Sequence, residues 1–147
     1  MKVLDVYKKF LIPPNLQEHM ILVTKVALFI CNHWRGKAIN KDLIIKSALL
    51  HDLGNIDRFD FEGHPEFLGE KEKGRLDYWI RVQKEIKEKY GDDDHTVSEK
   101  MLRVIGASER LIEIVGKKSY ANADLVKIIN DWEAKVLLYA DLRVGPF

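Results

Sequence analysis

Along most of this chain the apolar residues recur every three or four positions. No stretch alternates apolar and polar residues at the two-residue period of a half-buried strand. The pattern therefore predicts helices. A short amphipathic piece runs from Val3 to Ile12 and is stopped by Pro13-Pro14. Asn15-Leu16-Gln17-Glu18 reads as a capping box, with Asn15 accepting backbone N–H groups and Glu18 reaching back. The helix it opens is predicted to run to about Trp34, with Gly36 supplying a left-handed terminal residue. Asn40 caps the next helix, which sets Leu43, Ile44, Ser47, Ala48 and His51 on adjoining positions of one face. Leu76, Trp79, Ile80, Gln83, Ile86 and Tyr90 then make a stripe ended by Gly91. A helix from His95 to Ile105 closes at Gly106, another runs from Ser108 to about Val115, and Asn122 opens a last one reaching past Asp141.

These elements describe an all-α bundle of six or seven helices with short connections, one domain over residues 1–147. One stretch departs from the pattern. Residues 55–75 are irregular and dense in charge, with Asp57, Arg58, Asp60, Glu62, His64, Lys71, Lys73 and Arg75 interleaved with Phe59, Phe61 and Phe67. Irregular segments of that length inside a compact domain are usually lids or binding loops. This one follows His51-Asp52 directly, so its first residues must stay near that pair.

Composition narrows the partners. With 24 basic and 23 acidic residues the net charge is +1, which leaves no global attraction for nucleic acid or an anionic membrane. The longest apolar stretch, Met20 to Cys31, is broken by Thr24-Lys25 and is too short to cross a bilayer. Met1-Lys2-Val3-Leu4-Asp5 has no signal-peptide core. A single cysteine excludes an internal disulfide and points to a reducing cytoplasm. That residue, Cys31, reads as a small buried hydrophobe, and His33 as a structural ring at a helix end. An apolar helix face left over would let two copies of the chain pair.

The chemistry gathers around His51-Asp52, which closes the apolar stretch Ala48-Leu49-Leu50-His51-Asp52-Leu53-Gly54. A buried carboxylate is unfavourable unless paired, hydrogen-bonded or bound to a metal. His19 shares the buried stripe of its helix with Val23, Val26 and Ile30, and Asp141 shares a face with Ala134, Leu137 and Leu138. Taken singly, His19 reads more readily as a hydrogen-bonded core histidine and Asp141 as a C-terminal surface carboxylate. Together they offer two imidazoles and two carboxylates, donors that a divalent cation of the Mn-to-Zn series accepts. Asp52 and Asp141 both sit near predicted helix C-termini, where the macrodipole opposes an acid, and one cation would relieve both.

The order His19, then His51-Asp52, then a distant Asp141 resembles the HD superfamily of metal-dependent phosphohydrolases. His51-Asp52-Leu53-Gly54 is similar to the His-Asp-Ile-Gly variant of its core motif. Asn15-Leu16-Gln17-Glu18-His19 resembles the family's first helix, and the segment from Glu133 to Arg143 its last, so the likeness spans about Ile12 to Val144. It implies that His19, His51, Asp52 and Asp141 hold one divalent ion (Mn, Mg, Co, Ni, Fe or Zn). It also implies hydrolysis of a phosphate ester or anhydride, a small-molecule nucleotide first among them, by water that the ion activates. The segment from His95 to Gly106 is similar to one supplying a second-metal histidine in two-metal members. Their further histidine has no counterpart in Val115-Gly116-Lys117-Lys118-Ser119-Tyr120, so a one-metal site is expected, with His95 beside the ligands or on the substrate side. The same lack argues against the di-iron oxygenase branch.

Within that chemistry Asp52 is placed to steer the proton of the attacking water. His64, His95 or Asp60 would protonate the leaving oxygen. Arg58, Lys73 and Arg75 are the nearest cations for phosphate, and Asn55 can position water or ribose without transferring protons. Phe59, Phe61 and Tyr120 could stack on a base, though core packing explains them equally. The alternative is a non-catalytic regulatory module that binds metal and nucleotide.

Overall fold

The structure, a computed structural model, describes residues 2–117, 124 and 130–145. Among these residues it has seven α-helices, three short 3-10 turns and no strand: α1 (Val3–Lys9), α2 (Pro14–His33), α3 (Lys41–Leu50), α4 (Leu76–Tyr90), α5 (Asp94–Val104), α6 (Glu109–Lys117) and α7 (Trp132–Val144). The all-α expectation holds. No helix among the described residues is long and apolar enough to cross a membrane.

The helix ends show which local signals decided. α1 stops at Lys9, short of Ile12. Leu11 takes a left-handed conformation (φ 53°), its N–H donating to Lys8 O, while the Ile12 N–H donates to Tyr7 O. That is a Schellman ending with leucine where glycine is usual. The capping box at Asn15 does not form. Pro14 already occupies the first helical position, where its missing N–H costs nothing. Asn15 lies inside the first turn, and its amide donates instead to the Phe67 carbonyl. Gly36 is not left-handed either; the Trp34 indole covers it, 2.8 Å from where a Cβ would stand. Asn40 does cap α3, its side chain accepting the Leu43 N–H at 3.0 Å. The last helix starts at Trp132, with Asp131 as its cap, rather than running unbroken from upstream; Asn122, predicted to open it, lies outside the described residues.

The chain divides into two compact units. The first takes the chain up to Glu18 and Asp52–Gly106; the second takes His19–His51 and the chain from Ala107. In the first unit α4 buries Trp79, Val82, Ile86 and Tyr90, spaced three or four apart. Full burial of each such side chain is worth roughly 1.5–3 kcal/mol. The charged stretch after Asp52 is built of 3-10 turns at Asn55–Arg58, Pro65–Leu68 and Lys73–Arg75. Gln83 of α4 holds the first of them, its amide donating to Ile56 O and Phe59 O, both at 2.7 Å. Lys87, one turn on, lies 3.4 Å from the buried Asp57 carboxylate. Phe59 and Phe61 are core residues, ring centroids 5.4 Å apart, which leaves neither as an open platform for a base.

The second unit is centred on Val23, Ala27, Ile44, Ala48, Ile114, Val136, Leu137 and Ala140. Its three alanines come from α2, α3 and α7, and small residues let helix backbones approach closely. Cys31 packs on this cluster half-buried, and burial raises its thiol pKa. His33 donates from Nδ1 to the Phe29 carbonyl, satisfying a terminal acceptor of α2. On its solvent side α2 exposes Ile21, Leu22, Leu28 and Phe29. The N-terminus of α7 is held strongly. Asp131 accepts the Ala134 N–H, two bonds from Arg110 at 2.7 and 3.0 Å, and one from Lys117 at 2.8 Å. Burial pushes the Asp131 carboxyl up, but these hydrogen bonds override it and leave the pKa at about 2.

Candidate metal centre

Three helices of the second unit deliver the site. His19 comes from the start of α2, His51 from the end of α3 and Asp141 from the last turn of α7. Asp52 follows His51 by one peptide bond. One donor atom from each of these four side chains lies within 4.8 Å of the other three. His19 is 4% exposed, His51 0% and Asp52 2%, whereas Asp141 is 22% exposed, so the set is buried on all sides but one.

The two imidazoles aim the same nitrogen at the same oxygen. His19 Nε2 stands 3.1 Å from Asp141 Oδ1 and His51 Nε2 stands 3.4 Å from it, the rings 5.4 Å apart and tilted by 51°. The orientation of His51 is set from behind, since its Nδ1 lies 2.8 Å from the Ala48 carbonyl. A carbonyl only accepts, so Nδ1 donates to it, and Nε2 is the nitrogen left facing the site. A metal-binding histidine is oriented by this kind of bond through its other nitrogen.

These residues fit a divalent ion. Two imidazole nitrogens and two carboxylates converge where water is largely excluded, and without a cation two carboxylates would share that buried space at a steep desolvation penalty. Asp141 also stands in the last turn of α7, the Gly145 N–H bonded to its carbonyl, where the helix dipole disfavours an acid. A resident cation reverses that term. Among the described residues no second group of this kind forms, and His95 is outside the four.

The remaining candidates spread over the first unit. Asn55 is half-buried in the turn after Asp52, its N–H bonded to the Asp52 carbonyl at 3.1 Å. Arg58 is exposed and stands 3.7 Å from Asp94. Asp60 is an exposed turn residue whose carboxylate accepts the Gly63 N–H. His64 is exposed and bonded through Nδ1 to Glu66 at 2.8 Å, which holds the Glu66 carboxyl below its usual range. Lys73 pairs with Glu70, and Arg75 pairs with Glu72 at 3.1 Å while lying over the Tyr78 ring. His95 is exposed on the first turn of α5. Tyr120 lies outside the described residues. The pattern reading missed Gln83 and Ser98, which fix the turn around these groups from α4 and α5. Their bonds span 24 to 44 residues, and no local spacing announces them.

A family model described as HD domain matches residues 16–129, taking in His19, His51 and Asp52 and ending short of Asp141. The inclusion of Asp141 in the site therefore stands on geometry. No curated protein and no solved structure matches the chain.

Proposed function

The chain belongs to the HD domain family, and from that premise we propose that it hydrolyses phosphate esters or anhydrides, with nucleotides the first substrates to test. HD domains are typically metal-dependent phosphohydrolases. The observation that carries the reading is the convergence of His19, His51, Asp52 and Asp141 within 4.8 Å, three of them buried. A divalent ion held by these four supplies a Lewis acid that polarises a phosphoryl oxygen and makes water a better nucleophile at neutral pH.

The chain's own groups do the rest. Asp52 would help to hold the ion and, beside it, would take up the water proton. Of Arg58, Lys73 and Arg75, Arg58 is nearest to Asp52 in sequence and would meet the phosphate. It belongs to the turn that begins three residues after Asp52, and its partner Asp94 is at 3.7 Å with Arg58 68% exposed, so the pair yields readily to an anion. His95 is the favoured proton donor to the leaving oxygen. It follows Asp94, whose carbonyl lies against Gly54, two residues from Asp52. His64 and Asp60 are engaged with Glu66 and Gly63, and Lys73 and Arg75 with neighbouring glutamates. They are the weaker choices. With Phe59 and Phe61 in the core, a nucleotide would be gripped chiefly through its phosphate.

The test is turnover of an aryl phosphate and a nucleotide panel by metal-free protein reloaded with Mn, Mg, Co or Ni. Hydrolysis that appears with metal and vanishes in His51→Ala is the expected result. Metal-dependent stabilisation without any turnover would replace this reading with the regulatory module.

A further inference from the structure

Gly54 has no room for a side chain. A Cβ there would stand 2.4 Å from the Asp94 carbonyl oxygen, 2.6 Å from Ser98 Oγ and 2.7 Å from the Ser98 nitrogen. The Gly54 N–H donates to Ser98 Oγ over 3.0 Å, and Ser98 is 5% exposed on α5. Two further bonds make one stiff turn of this contact: Asn55 N–H to the Asp52 carbonyl at 3.1 Å, and Asp57 N–H to the Gly54 carbonyl at 3.0 Å. A metal ligand has to be held within about 0.5 Å of its bonding position. Aspartate has only two side-chain torsions, so a displaced backbone carries its carboxylate along.

We infer that Ser98 is a positioning residue for the metal centre: its hydroxyl, with the Asp94 carbonyl, seats the Asp52–Gly54 turn and so sets where the Asp52 carboxylate stands. The inference rests on the reading of His19, His51, Asp52 and Asp141 as a metal site. Ser98 itself is not among the four. Its part is to hold the backbone two residues away, much as a ligand's hydrogen-bond partner sets the orientation of a metal-binding side chain.

The experiment titrates Co2+ into metal-free wild type, Ser98→Ala and Leu102→Ala, each well below its unfolding temperature, by calorimetry and by the visible absorption of the bound ion. Ser98→Ala binds roughly tenfold more weakly, with a changed band shape, because outer partners of ligands typically govern affinity on that scale. Leu102 lies in the same helix and is fully buried, so Leu102→Ala loses stability yet keeps the wild-type affinity and spectrum. Gly54→Ala crowds the same contact from the other side and weakens binding likewise; should it fail to fold, the first two variants decide. Wild-type affinity and spectrum in Ser98→Ala would overturn the assignment, as would an equal loss in Leu102→Ala. A wild-type protein that binds no Co2+ would instead overturn the metal-site reading and this inference with it.

Discussion

His19 and Asp141 are 122 residues apart in the chain, and His19 Nε2 stands 3.1 Å from Asp141 Oδ1. His51 Nε2 reaches the same oxygen at 3.4 Å. Three helices thus meet at one carboxylate, where a cation would bind all three side chains at once.

Metal content is the direct check. Protein purified without chelator retains close to one equivalent of a divalent ion, whereas His51→Ala and Asp141→Asn retain a small fraction of it. Elemental analysis of the three side by side decides. Equal content in all of them removes the site.

Loading the ion stabilises the fold by mass action. At a free concentration one hundredfold above the dissociation constant the gain is about 2.7 kcal/mol, or roughly 5–10 °C in melting temperature for a chain of this size. Chelator should lower the melting point of wild type by that amount and leave Asp141→Asn unmoved. A chelator-insensitive wild type contradicts the prediction.

Asp131 makes stability depend on acid. Its carboxyl is depressed from 3.8 to about 2 in the folded protein. The contribution is therefore full above the unfolded value near 4, and is lost as pH falls through about 2. Asp131→Asn keeps the cap to Ala134 but drops the charge that Arg110 and Lys117 hold. Metal-free protein should lose about 2 kcal/mol at pH 6 in this variant, with the gap closing between pH 4 and 2. Urea unfolding at several pH values reads it, and a gap of constant size would show that the ion pairs are not its source.

Leu11 stores backbone strain at the end of α1. A left-handed leucine is disfavoured by roughly 1–2 kcal/mol, and its side chain is 41% exposed rather than part of the core. Leu11→Gly should raise stability by about 0.5–1 kcal/mol after the entropy that glycine adds to the unfolded chain. Denaturant titration checks the sign; a destabilised variant would mean that the leucine's packing outweighs its strain.

Gln83→Glu keeps the shape and loses the donors. The new carboxylate faces the carbonyls of Ile56 and Phe59, so folding should weaken by roughly 2–3 kcal/mol. If the proposed role of Arg58 is right, KM for a phosphate substrate rises more than kcat falls. Unchanged stability together with unchanged KM would release the turn from this bond.

The helical architecture and the identity of the four chemical groups are legible in the residue order, because both are written in short-range spacing. The Asn40 cap and the end of α4 at Gly91 depend on residues no more than a turn or two apart and stand where the pattern put them, while the α4 stripe keeps Trp79, Ile86 and Tyr90 and adds Val82. The cap at Asp131 is equally local, although the pattern predicts one longer helix across it. Asn15 reads locally as a cap, yet its amide donates to the Phe67 carbonyl, 52 residues on. Packing alone brings one Asp141 oxygen between two imidazoles, presses Gly54 on Ser98, and lets Gln83 tie down the turn bearing Arg58. Each of those is a contact between distant segments. Helical period fixes which face a residue lies on, whereas the packing of whole helices fixes what that face meets.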